Sequence, residues 1–236
     1  MPKVTDTLPE SFVVQIRSSL QEQSNPDQAG PMQAYMKSEM PFLGIKAPAR
    51  RVVTRGLFSA LRLATFEDWQ EAVLNLWRQA RYREERYVAI DLLAHRFYRP
   101  FRSMRALPLY EEMIVTGAWW DLVDPIAAHR LGELLTNHPA PMTKALRDWS
   151  KDPDLWKRRS SILSQIRRGS AADLDLFYFC VEGSIGDQEF FSRKAIGWAL
   201  REHGKSNPGE IRRYVATHSE RLSPLSRREA LKNLSS

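Results

Sequence analysis

The sequence has one cysteine, no long apolar run and almost no strand signal, and each absence removes a class of protein. A single thiol, Cys180, excludes an internal disulfide and cannot build a thiolate metal cluster. Within Leu-Phe-Tyr-Phe-Cys-Val it reads as a buried structural thiol. The opening Met-Pro-Lys-Val-Thr-Asp-Thr-Leu-Pro has no apolar signal region, and no later stretch approaches the roughly 18 uncharged apolar residues of a spanning helix. The expected location is therefore the cytoplasm, with no membrane span. Alternation of apolar and polar residues between tight two-residue turns is missing, which argues against sheets. The five histidines show no His-Glu-x-x-His spacing and no glycine-rich phosphate loop occurs, so neither a metal nor a cofactor is expected.

What is present is apolar and basic. With 43% hydrophobic residues, a chain of 236 residues is too rich in core material to be disordered. Lys and Arg number 35 against 28 Asp and Glu, giving +7 and a pI near 9.7. That balance favours a polyanionic partner, nucleic acid first and anionic membrane second.

Helical spacing dominates the chain. Phe12, Val13, Ile16 and Leu20 mark a helix over 9–23, and Asn25-Pro26 and Gly30-Pro31 punctuate the chain before a short helical run around Met32 to Lys37. The stretch Pro41 to Pro48 reads as a loop that delivers Arg50, Arg51 and Arg55 into the next helix. Thr65, followed by Glu67, Asp68 and Trp69, predicts a helix start. Ile90, Ile126, Ile162 and Ile196 are spaced by 36, 36 and 34 residues, and Trp120, Trp156 and Phe190 stand six positions before the last three. This period predicts an all-α, right-handed superhelical solenoid of HEAT- or armadillo-like helix pairs with a concave basic face. We expect one domain over 1–236, capped by N-terminal helices at about 8–40 and a C-terminal helix at about 224–234. Basic clusters recur at Lys157-Arg158-Arg159 with Arg167-Arg168, at Arg193-Lys194 with Arg201, and at Arg227-Arg228 with Lys232. Ser226 and Glu229 show capping-box spacing at a helix start able to accept a phosphate.

The densest chemistry lies between Thr116 and Arg130. On a helix Trp120 and Asp124 share one face, while Trp119, Val123 and Ile126 line another as a core stripe. Pro125 is tolerated in a first turn and costs roughly 3 kcal/mol in an interior, which places the helix start near Asp121 or Asp124. Taken alone, the pattern also fits a capping Asp beside a core Trp.

Over nearly its whole length the chain resembles the AlkD-like DNA alkylation repair enzymes, helical-repeat glycosylases that remove alkylated purines. The resemblance is carried by Pro31-Met-Gln-Ala-Tyr35-Met-Lys, Phe42-Leu-Gly-Ile, Ile114 to Asp124, Leu155-Trp-Lys-Arg-Arg159, Lys194 to Glu202, and Pro224-Leu-Ser-Arg-Arg-Glu-Ala. It implies that Asp124 is the catalytic carboxylate, with Trp120, Trp198 and Tyr35 as aromatic walls around the lesion. Arg51, Arg159, Arg167 and Arg201 match positions that face the DNA backbone, and Arg227 and Arg228 extend that basic surface. The implied partner is double-stranded DNA carrying alkylated purines, bound by a monomer that associates with the nucleoid. Lys46 and Lys157-Arg158 make this surface more basic than the family pattern, and Pro125 directly after the catalytic Asp departs from it.

The implied chemistry is economical. A purine alkylated at N3 or N7 is cationic, so its glycosidic bond is already weakened and the base departs without a general acid. One carboxylate can then do what glycoside hydrolases do with two. Asp124 would stabilise positive charge developing on the deoxyribose and orient water, and Trp120 and Trp198 would each contribute roughly 1 to 2 kcal/mol through their π faces. No lysine occupies the equivalent catalytic position in these motifs, so no Schiff-base strand cleavage is assigned. Two other readings are a non-catalytic protein-binding scaffold and a DNA-structure binder without activity. The first leaves the Trp120 and Asp124 face as coincidence, and the second fits a chain lacking the key residues, whereas Asp124, Trp120 and Trp198 are all present.

Overall fold

The computed structural model describes residues 8–60, 62–232 and 234, and among these every regular element is a helix. The all-α expectation holds. The chain divides into two compact units, Met1–Arg102 and Ser103–Ser236.

The first unit holds α1 (Leu8–Glu22), α2 (Pro26–Met36), α3 (Ala47–Ala60), α4 (Phe66–Arg78) and α5 (Arg83–Ala94). Phe12, Val13, Ile16 and Leu20 form the buried stripe of α1, as their spacing predicts. This stripe packs on α3 and α4, with Phe12 stacked on Phe58 at 5.9 Å. Thr65 caps α4 by accepting from the Asp68 amide at 3.1 Å, and Trp69, Val73, Leu76 and Trp77 are buried behind it. Each such side chain contributes roughly 1.5–3 kcal/mol when removed from water.

One expectation fails in α2. It starts at Pro26, six residues before the run that sequence marks, and passes through Gly30-Pro31. Asn25 caps it by accepting from the Gln28 amide, and Pro26 sits in the first turn where no N–H is needed. None of the helix's residues is buried, so water can solvate the carbonyl that Pro31 frees and the cost of the proline falls. The following loop is fixed from inside. Glu84, fully buried on α5, accepts the Leu43, Gly44 and Ile45 amides at 2.9, 2.9 and 3.0 Å. Gly44 has φ +84°, and a Cβ there would overlap the Asn25 carbonyl oxygen.

The second unit holds α6 (Leu107–Gly117), α7 (Trp120–Pro125), a π-helical segment Ile126–Leu131, α8 (Gly132–Asn137), α9 (Pro139–Trp149), α10 (Leu155–Leu163), α11 (Leu174–Glu182), α12 (Phe190–Gly204), α13 (Pro208–Thr217) and α14 (Pro224–Leu231). Helix α10 is central, touching α6, α7 and its π-helical continuation, α9, α11 and α12. Ile126, Ile162 and Ile196 are fully buried on three successive stacked helices, so their spacing measures the step from one to the next. Ile90 lies half-buried on α5 in the first unit.

The C-terminal helix differs from its prediction in cap and length. Ser223, not Ser226, caps α14, accepting from the Ser226 amide at 3.0 Å, because Pro224 takes the first helical position. Ser226 is buried and donates to the Arg193 carbonyl at 2.9 Å, which ties α14 to α12. The helix ends at Leu231, and Asn233, within the range expected to be helical, lies outside the described residues.

Candidate active site

The site begins with a turn. Helix α6 closes on Gly117, and Ala118 follows in the left-handed region at φ 43°. That conformation costs an L-residue roughly 1–2 kcal/mol. Trp119 is then extended, and its carbonyl accepts the Leu122 and Val123 amides at 3.1 and 3.0 Å to start α7. The turn sends two adjacent indoles to different places. Trp119 packs on Trp156 and Phe191, at ring distances of 6.5 and 5.2 Å, while Trp120 remains 36% exposed. One helical turn on, Asp124 shares the Trp120 face, and Val123 and Ile126 are fully buried opposite.

Pro125 does not disturb this face. Helix α7 begins at Trp120, one residue before the earliest start expected, and continues through Pro125 with helical angles of −61° and −37°. Lacking an N–H, Pro125 cannot donate the hydrogen bond that an α-helix makes from this position. The helix widens to the π form directly afterwards, from Ile126, the usual response to an interrupted hydrogen-bond ladder. The adjustment is displaced downstream of Asp124.

Asp124 is nearly enclosed. Arg159 reaches it from α10, donating from Nε to Oδ1 and from Nη2 to Oδ2, both at 2.8 Å. Nη1 of Arg159 donates to the Phe191 carbonyl at the start of α12, at 2.6 Å. Three stacked helices thus meet at one guanidinium. Burial pushes the Asp124 carboxyl above its usual range, while the Arg159 hydrogen bonds and charge pull it down. An ionised carboxylate offers about four lone-pair sites. Arg159 occupies two, and the others remain for a reacting group or a water.

The remaining site residues fall into separate groups. Phe191, Lys194, Trp198 and Arg201 share a face of α12 at offsets of three, four and three residues. Trp198 is half-buried there, between fully buried Gly197 and Ala199. Arg167 is exposed just beyond α10, and on α14 Arg227 is half-buried and Arg228 exposed. Tyr35, 76% exposed on α2, and Arg51, exposed on α3, belong to the first unit.

Several cations expected on a nucleic-acid face have partners within the protein. Lys157 pairs with Glu111 and Asp152 at 2.7 and 2.6 Å, and Arg158 pairs with Asp187 at 2.9 Å. Arg159, expected at the DNA backbone, is buried and held by Asp124. Arg50 is buried against Asp91 at 2.9 Å. Apart from Lys157–Asp152, these contacts join residues 29 to 46 positions apart, so residue type alone could not distinguish a structural cation from a ligand cation. Sequence reasoning missed Phe191 and Glu229. Glu229 holds Arg201 at 2.7 Å and Lys194 at 3.1 Å, and its place inside the cluster of Arg227, Arg228 and Lys232 was the available signal. Cys180 is buried, with its thiol pushed up to about 12 by burial, which suits the inert role expected of it. Among the described residues no three His, Cys, Asp or Glu side chains gather as metal ligands, and no helix is long and apolar enough to cross a membrane.

Comparison with known proteins places these features in context. A family model described as DNA alkylation repair enzyme matches residues 16–234. A solved structure titled as a predicted DNA alkylation repair enzyme from Enterococcus faecalis superposes with a TM-score of 0.79 at 29% identity, covering 90% of this chain and 97% of that one. No curated protein sequence matches significantly.

Proposed function

Because this chain belongs to the DNA alkylation repair enzymes, we propose that it is a monofunctional glycosylase of the AlkD-like kind, hydrolysing the N-glycosidic bond of cationic N3- and N7-alkylated purines in duplex DNA. The observation that supports this best is the Asp124 carboxylate, oriented by Arg159 and preceded by one helical turn by exposed Trp120. A structural ion pair alone would not call for an exposed indole beside it.

The chemistry follows from those groups. A preorganised carboxylate in a site of limited water access stabilises a developing oxocarbenium ion at little reorganisation cost. Arg159 serves two purposes in this reading. It keeps Asp124 anionic against the effect of burial, and it fixes both oxygens so that the free lone pairs face one direction. Trp120, with Trp198 as the second aromatic wall, presents a π face to the cationic base and sugar. The base carries its own positive charge, so departure is not dependent on a general acid. Tyr35, Arg51, Arg167, Arg201, Arg227 and Arg228 are the proposed contacts to the duplex, and Arg159 acts through Asp124. The enzyme works as a monomer.

The test is release of free methylated base from alkylated duplex DNA by wild-type protein and Asp124→Asn side by side. The proposal requires release by the wild type and near-complete loss in a folded variant. Equal release by both would remove Asp124 from the chemistry.

A further inference from the structure

The second unit carries a charged cleft on its C-terminal helices that the proposed base-release chemistry does not use. Its volume is about 550 Å³, and it is lined by residues of α12, the α12–α13 connection, the start of α13, and the chain around Lys232 and Leu234. Five cations face it, Lys194, Arg201, Lys205, Arg212 and Lys232, against two carboxylates, Glu202 and Glu229. The uncharged lining residues are Gly204, Pro208 and Leu234, with no aromatic ring. Small-molecule sites have a mostly apolar wall with a few placed polar groups, whereas seven of these ten lining residues are charged. A polyanion fits this lining better.

The five cations are not equivalent. Lys205 pairs with Glu202 at 2.5 Å, and Lys194 and Arg201 both pair with Glu229. Arg212 and Lys232, both exposed, have no ion-pair partner among the described residues. Glu229 is brought to this position by packing. At Gly197 a Cβ would stand 2.5 Å from the Glu229 Cβ and 2.9 Å from the Ser226 carbonyl oxygen, so α14 can lie on α12 only because residue 197 has no side chain. The Glu229 carboxyl is held below its usual range, first by its hydrogen bonds from Lys194 and Arg201. A permanent carboxylate therefore occupies two of the five cations, and two more stand open beside it.

We propose that this cleft is a second DNA contact, which takes a backbone phosphate flanking the lesion on Arg212 and Lys232, with Glu229 as a resident anion that competes with that phosphate for Lys194 and Arg201. The inference rests on the proposed DNA substrate. Glu229 tempers the site. Without it, four or five cations would hold any duplex strongly and slow the search for rare lesions, because sequence-independent binding arises almost wholly from phosphate contacts.

The experiment measures affinity for an undamaged duplex of about two helical turns, ~20 base pairs, as a function of salt. It uses the full chain, the double variant Arg212→Ala/Lys232→Ala, the single variant Glu229→Gln, and Lys144→Ala as a control for net charge. Lys144 is exposed and, among the described residues, pairs with Asp148 on its own helix. Each phosphate contact contributes about 0.9 to the slope of log affinity against log salt. The double variant should lose about one to two in slope, and Lys144→Ala should keep the wild-type value. Glu229→Gln should bind at least about fivefold tighter at low salt, the size of a like-charge repulsion at ~4 Å removed under full water screening. Melting temperatures of all variants separate these effects from unfolding, and the two exposed alanine sites keep the test open if Glu229→Gln proves unstable. If wild-type protein binds with a steep slope and the double variant keeps that slope, the cleft is not a DNA contact. If the wild type shows no salt-dependent duplex binding, the DNA reading itself falls, and this inference with it.

Discussion

Arg159 grips both oxygens of Asp124, Nε on one and Nη2 on the other, each at 2.8 Å, across 35 residues of sequence. The side chains are only 5% and 13% exposed, so the pair sits largely out of water. Removing one member leaves the other charge uncompensated, which typically costs about 3–5 kcal/mol. Arg159→Ala should lower stability by that order in denaturant titration, and Arg159→Lys, which keeps the charge but not the planar fork, should recover part of it. A loss under about 0.5 kcal/mol, the range of ordinary surface substitutions, would show that the pair is not held as described.

The same pair sets a pH dependence. Burial holds the Asp124 carboxyl above the usual value of about 3.9. If the anion does the chemistry, base release should decline as pH falls through that raised pKa, and a folded Asp124→Asn should lack this acid limb. Stability has its own sign. A carboxyl whose folded pKa is raised contributes stability that is complete below its unfolded pKa and lost as pH rises through the folded one. The stability difference between Asp124→Asn and wild type should therefore move in the variant's favour as pH rises through that window. Glu229, whose folded pKa is depressed, has the reverse sign, contributing above its unfolded pKa and losing that contribution in acid.

What the sequence made legible was local or periodic. The α1 stripe and the Thr65 cap depend on residues within one or two turns, and the isoleucine spacing reports a stacking step repeated between neighbouring helices. The shared face of Trp120 and Asp124 needed only helical geometry. The illegible parts depend on distant partners or on solvent. Pro31 is tolerated because α2 buries nothing, which no local pattern reveals. Arg159 and Lys157 resembled open phosphate ligands until α7, α10 and the start of α12 came together. Ser226 and Glu229 had capping-box spacing, yet Pro224 moved the helix start upstream, and the freed Glu229 turned to Lys194 and Arg201. Ser223-Pro224 was itself a start signal, since proline favours the first helical position.

Gly197 offers a purely structural prediction. Its Cα faces the α14 backbone so closely that any side chain must push the two helices apart. Gly197→Ala should cost about 1–3 kcal/mol, the range for overpacking a tight interface, even though alanine is intrinsically the better helix former by roughly 1 kcal/mol. Urea denaturation of the variant decides the sign. A stabilised protein would mean that the α12–α14 contact yields easily, and the Glu229 pairing built on it would not be rigid.

Lesion selectivity tests the mechanism most directly. With one carboxylate, an arginine committed to that carboxylate and no evident general acid, the enzyme must rely on a leaving group that already carries positive charge. Release of 3-methyladenine and 7-methylguanine should therefore be efficient, while neutral hypoxanthine and uracil should stay in place. Loss of the carboxylate in Asp124→Asn should slow the chemical step by about 10²- to 10³-fold, the usual effect of deleting one preorganised electrostatic stabiliser. Duplex binding should survive that change, because phosphate contacts rather than Asp124 position the DNA. Trp120→Ala should also slow release, and because the indole is 36% exposed and otherwise buried, the variant's melting temperature is measured in parallel to separate lost packing from lost chemistry. Single-turnover release from oligonucleotides carrying one defined lesion measures all of this. Rapid hypoxanthine release would require a proton donor for the departing base, and Asp124, gripped on both oxygens by a cation, is poorly arranged to be one.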